Sequence, residues 1–111
     1  YDDMTAEELT TILYRKMKAE QDTYRDWLLG LPPEEILDHA YEYSVREDIL
    51  MALEERDVTV EQGSALLDSP SPLADIYREW QKLETRYMED VRDTIESCAN
   101  RLVFRDRVET D

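Results

Sequence analysis

Two glycines and four prolines are all the punctuation that 111 residues contain. Those residues supply most tight turns and helix stops, so a chain this poor in them makes few turns and few, long elements. The expectation is an all-α protein. Apolar residues make up 41% of the chain, too many for intrinsic disorder in spite of the charge. At this length one domain is expected.

Helix boundaries follow from local signals. Thr5-Ala6-Glu7-Glu8 is a capping box. Leu9, Ile12, Leu13, Met17, Tyr24 and Leu28 then recur at three- and four-residue steps, which predicts a first helix over about Thr5–Leu29. Gly30-Leu31 reads as its stop, with the glycine left-handed. Pro32-Pro33 opens a second helix, with Glu34 and Glu35 at the positive end of its dipole. Its apolar face, Leu37, Tyr41, Val45, Ile49 and Leu53, predicts one helix reaching about Glu55, although Ser44-Val45-Arg46-Glu47 is a second capping box. Thr59-Val60-Glu61-Gln62 starts a short helix ending near Leu67. After the loop 68–72, with Ser71 as cap, the last helix carries Leu73, Ile76, Trp80, Leu83, Tyr87, Val91, Ile95, Cys98 and Leu102 at the helical period.

Three long helices and one additional short one read as an antiparallel three-helix bundle. Residues 5–104 form this domain, 1–4 an extension before and including Met4, the expected native start, and 105–111 a tail. At about 1.5 Å per residue the last helix spans roughly 45 Å against about 35 Å for each of the first two. Its end, Leu102-Val103-Phe104, therefore overhangs the bundle, folds back, or forms a homodimer seam.

The net charge of −15 restricts the partners. Such a surface repels nucleic-acid phosphates and anionic lipid and suits a basic protein surface or cations, so neither direct nucleic-acid nor membrane binding is expected. No apolar run approaches the length of a bilayer span. A lone cysteine, Cys98, rules out an internal disulfide framework and fits a reducing cytoplasm. On its apolar stripe it reads as a buried small hydrophobe.

The chain offers few groupings that could carry chemistry. Di-metal bundles need Glu-x-x-His pairs, and the chain has one histidine, His39, preceded three residues earlier by Ile36. Glu35, Asp38, His39 and Glu42 make an adventitious divalent cluster or, more simply, a solvated face. Two glycines cannot write a phosphate-binding loop. Neither a cofactor nor a catalytic residue is expected. Paired buried carboxylates would be the remaining route to an enzyme, and no pair is nominated.

Charge patterning is more informative. Asp75 with Arg78, Arg86 with Asp90, and Arg92 with Glu96 offset one another on the last helix. From Leu31 to Glu55 there are eight acidic residues against Arg46 alone. Glu34, Asp38 and Glu42 stand at four-residue steps, about 6 Å apart on a continuous helix. Glu34, Glu35, Asp38 and Glu42, with Tyr43 as an aromatic anchor, are the candidate partner-binding residues.

Two stretches carry a likeness: residues 40–50, AYEYSVREDIL, and residues 84–96, ETRYMEDVRDTIE. They resemble a family of small acidic helical domains of unknown function from gut anaerobic bacteria, often on mobile elements. The resemblance covers about Thr5–Asn100 and implies a cytoplasmic bacterial setting, with no site residue to carry over. Tyr43, Arg46, Glu47 and Asp48 then suggest an interhelical network with Arg86, Tyr87 or Asp90, or a peptide groove. The resulting expectation is a non-catalytic interaction module presenting an acidic face to a basic protein. The alternative is a DNA mimic that blocks a host nucleic-acid-binding protein or defence nuclease.

Overall fold

The computed structural model describes residues 3–110, with side chains at all of these except 84, 85, 109 and 110. Tyr1 and Asp2 of the expected extension lie outside the described residues. Six helices and no strand occur among the described residues: α1 (Ala6–Leu29), α2 (Pro33–Asp38), α3 (Ala40–Glu55), α4 (Val60–Asp68), α5 (Pro72–Gln81) and α6 (Glu84–Thr110). The all-α expectation holds. They form two compact units, Tyr1–Arg78 and Glu79–Asp111.

In the first unit α1 is the element on which the others assemble. Its capping box closes as read, with the Thr5 hydroxyl accepting from the Glu8 amide at 3.1 Å and the Glu8 carboxylate accepting from the Thr5 amide at 3.3 Å. Leu9, Leu13 and Met17, one turn apart, are essentially inaccessible and meet Leu50 of α3, Leu67 of α4 and Leu73 of α5 in one core. Burial of each such leucine contributes about 2–3 kcal/mol. The same row continues into Gln21, 1% exposed, where the core turns polar. Gly63 lets α4 approach α1, because a Cβ there would meet the Leu9 Cβ and Val58 Cγ2 at 3.2 Å. Thr10 serves the connection before α4 by donating to the Ala6 carbonyl at 2.7 Å and accepting from the Val58 amide at 3.1 Å.

Two charged residues on α1 hold the ends of neighbouring helices. The Lys16 ammonium donates to the carbonyls of Leu67 and Ser69, at 2.9 and 2.6 Å, where α4 ends. One turn later the two Glu20 oxygens accept from the amides of Leu73 and Ala74, both at 2.9 Å, where α5 begins. Each charge complements the helix dipole it meets, and each satisfies groups that a helix end leaves open. Ser71, read as the α5 cap, contributes instead through its backbone: its amide donates to the Ser69 hydroxyl, which donates to Asp75.

Three expected boundaries are corrected. Gly30 ends α1 in the right-handed region, φ −86° and ψ −5°, with its amide still bonded to the last turn, and no residue with positive φ is found among those described. The second helix breaks at His39 (φ −106°, ψ 2°) and then runs unbroken through Ser44 to Glu55. The imidazole packs edge-on against the Trp27 indole, with centroids 5.0 Å apart, so a contact from α1 marks a break that no glycine or proline announced. The last helix is two helices. Between them Lys82 and Leu83 donate to carbonyls only three residues back, tightening the chain into a turn.

The second unit consists mainly of α6. Every described side chain from Arg86 to Val108 is exposed. Cys98, expected in a core, is exposed with them. Asp75 and Arg78 of α5 do pair, at 3.3 Å, whereas Arg86–Asp90 and Arg92–Glu96 on α6 stay open.

Candidate functional site

The acidic stretch after α1 divides into an outer face and an inner seam. Glu34, Glu35 and Asp38 are exposed on α2, a six-residue helix with no basic residue and no buried one. Glu42 belongs elsewhere. The break at His39 takes it off the line of Glu34 and Asp38 and onto the first turn of α3. There one of its oxygens accepts from both Nε and Nη2 of Arg46, at 2.9 and 2.7 Å.

Arg46 is the centre of the seam. It is 7% exposed, an expensive place for a guanidinium unless it is paired and hydrogen-bonded. Glu42 supplies the close pairing, Glu20 stands 3.9 Å away, and the Tyr24 ring lies 4.2 Å below the guanidinium carbon. Next to it the Gln21 amide donates to the Tyr43 carbonyl at 3.3 Å and the Glu47 carboxylate at 3.0 Å. The Tyr24 hydroxyl and the Gln21 carbonyl oxygen are buried without a partner. Burial, reinforced by the Glu42 charge and opposed by Arg46, pushes the Tyr24 phenol up to about 12. The network read around Tyr43 and Arg46 therefore finds its partners on α1 and ties α1 to α3.

Tyr43 is half-buried, while Tyr41, two residues earlier, is exposed. Two large apolar groups near the acidic face, Trp27 at 51% exposed and Leu29 at 64%, were not singled out from the sequence. Leu37, expected on the apolar face of the second helix, is 74% exposed instead. Trp27 is tied to the break by its contact with His39 and stacks obliquely on Tyr24, centroids 5.8 Å apart. A signal for Trp27 and Leu29 did exist. Trp27-Leu28-Leu29 are three apolar residues in succession, and at about 100° per residue only one can face a core. Leu28, 5% exposed, is that one. The corner thus combines uncompensated carboxylates with large apolar groups, the composition of a surface that recognises a basic and partly apolar partner.

Other features offer less chemistry. An open groove of about 500 Å³ in the first unit is walled by Met17, Ile49, Leu53, Val58, Leu66 and Ile76, with Arg56 and Asp57 at its edge. Among the described residues no group of three or more His, Cys, Asp or Glu side chains is arranged to hold a metal ion. Glu35, Asp38, His39 and Glu42, considered above as a divalent cluster, are separated by the turn at His39. No helix among the described residues is long and apolar enough to cross a membrane.

Residues 9–103 match the sequence profile of DUF3848, a family described as proteins of unknown function, and the chain belongs to that family. The match reaches Val103 and so takes in Arg101 and Leu102, three residues past the likeness read from the sequence. Neither a curated protein nor a solved structure matches the chain.

Proposed function

We propose that this DUF3848 protein is a non-catalytic interaction module that offers the acidic α1–α2 corner to a basic protein partner. One observation carries the reading: Glu34, Glu35 and Asp38 are exposed with no basic residue on their helix, and Trp27, Leu29 and Leu37 are exposed around the same corner. Carboxylates would steer and orient a lysine- or arginine-rich surface, and the apolar groups would supply the contact energy. Glu42, engaged by Arg46, is left out of the binding set, and Tyr43 gives up the anchoring role to Trp27.

The charge distribution favours a second reading, a DNA mimic encoded on a mobile element that occupies a nucleic-acid-binding host protein. Residues 1–78 hold nineteen acidic and seven basic side chains, so −12 of the net −15 belongs to the first unit. Both readings are cytoplasmic and bacterial.

The test is affinity capture from a bacterial lysate at low and high salt, comparing the native chain with Glu34→Gln, Glu35→Gln, Asp38→Asn. All three residues are exposed, so the variant should stay folded, with a urea midpoint lowered only by the loss of the two charges at the α2 N-terminus, about 0.3–1 kcal/mol each. The expected result is a basic partner held at low salt, released at high salt and absent from the variant. Displacement of that partner by duplex DNA would favour mimicry. Equal capture by both baits would remove the acidic corner from function.

A further inference from the structure

The apolar stripe of α6 runs Val91, Ile95, Cys98, Leu102, in steps of four, three and four. The spacing is the same read in either direction from a midpoint between Glu96 and Ser97. At about 100° per residue the four side chains share an arc of roughly 60°. All are exposed, Ile95 at 63% and Leu102 at 52%.

The same midpoint divides the charge. Residues 84–96 carry five carboxylates and two arginines; residues 97–110 carry three arginines against Asp106 and Glu109. Two such helices laid parallel set like halves together. Laid antiparallel, each acidic half meets a basic half.

We propose that α6 pairs with α6 of a second copy of this chain, antiparallel, about a twofold axis level with the 96–97 midpoint. Val91 of one copy then lies level with Leu102 of the other, and Ile95 with Cys98. On one flank Asp90 comes within about 3 Å of axial rise of Arg101 across the seam. Neither side chain closes an ion pair among the described residues of its own chain. On the other flank Met88, 59% exposed, comes level to the same tolerance with Val103, 50% exposed. Eleven residues in three turns is close to the period of a straight helix, so the pair needs little supercoiling.

Light scattering on the full 13.2 kDa chain is expected to give twice that mass at about 100 µM, where a micromolar Kd leaves most of the protein paired. Disulfide trapping fixes direction and register. Val91→Cys and Leu102→Cys are each made together with Cys98→Ser, and the two proteins are oxidised separately and mixed. Antiparallel pairing holds the two copies of position 91 about 16 Å apart along the axis, out of disulfide reach, while 91 and 102 lie level. The mixture should cross-link and neither protein alone should. Asp90→Arg and Arg101→Asp should each weaken the dimer about tenfold, and the two together should restore it. A monomer at that concentration, a dimer whose mixture does not cross-link, or self-linked Val91→Cys would each overturn the proposal.

Discussion

Removing the Glu20 carboxylate should cost the first unit heavily. Both of its oxygens are committed to the amides of Leu73 and Ala74, and Leu73 is fully buried. Water cannot easily replace the carboxylate at that helix start. A hydrogen bond to an ionised partner contributes about 1.5–3 kcal/mol net, and favourable placement at a helix N-terminus overlaps with that figure. Glu20→Ala should therefore lose roughly 2–4 kcal/mol, with a share from the weakened setting of Arg46. Glu20→Gln keeps one acceptor but turns an amide NH₂ toward the other backbone donor, and should lose about half as much. Urea denaturation followed by far-UV circular dichroism measures both. With a slope near 1 kcal/mol/M for a unit of this size, the alanine variant's midpoint should fall by about 2 M or more. If Glu20→Gln costs nothing, the charge contributes nothing beyond shape and the reasoning fails. If both cost less than about 0.5 kcal/mol, α5 is not capped from α1 in solution.

Gly63→Ala sets helix propensity, which favours alanine by about 1 kcal/mol, against overpacking costs of about 1–3 kcal/mol. The Leu9 Cβ that the new methyl would meet at 3.2 Å is fixed to the α1 backbone, so a net loss near 1 kcal/mol and a Tm lower by several degrees are expected; a higher Tm would refute the close approach. Tyr24, with its phenol pushed up to about 12, should titrate well after the exposed tyrosines in an ultraviolet phenolate titration, and Tyr24→Phe should abolish that step. Its folded value exceeds the unfolded value near 10, so its contribution to stability is complete below about pH 10 and lost as pH rises toward 12. Because the hydroxyl has no partner, Tyr24→Phe at neutral pH should cost less than about 0.5 kcal/mol or stabilise.

What the sequence made legible was local. The Thr5–Glu8 box and the helix start at Thr59–Gln62 both close with reciprocal bonds, since all the partners lie within three residues, whereas Ser44–Glu47, read as a second box, lies inside α3. The core row Leu9, Leu13 and Met17 was equally legible, because helical periodicity marks a buried face directly. The break at His39 was not, because its contact comes from Trp27, twelve residues away on another helix. Glu20 capping α5 lies 53 residues from the Leu73 amide that donates to it and carries no sequence signature. The same limit governs the acidic face. Four-residue spacing grouped Glu42 with Glu34 and Asp38, but spacing describes one helix only, and the turn at His39 with the pull of Arg46 reassigned it. On α6 the periodicity was real and the inference of burial was not: a pattern reports which residues share a face, never what lies opposite.

Lys16 and Glu20 have a consequence for uniqueness. Apolar residues recur every three or four positions along α1, so a slide by one turn would return leucine-sized groups to many of the same places and lose little hydrophobic energy. Polarity removes that degeneracy. Slid one turn in one direction, Glu20 would meet the Leu67 and Ser69 carbonyls; slid the other way, Lys16 would meet the Leu73 and Ala74 amides. Both mismatches set like against like in a half-buried place. Two opposite charges, one turn apart, work as a directional key: they leave α1 a single seat among its neighbours.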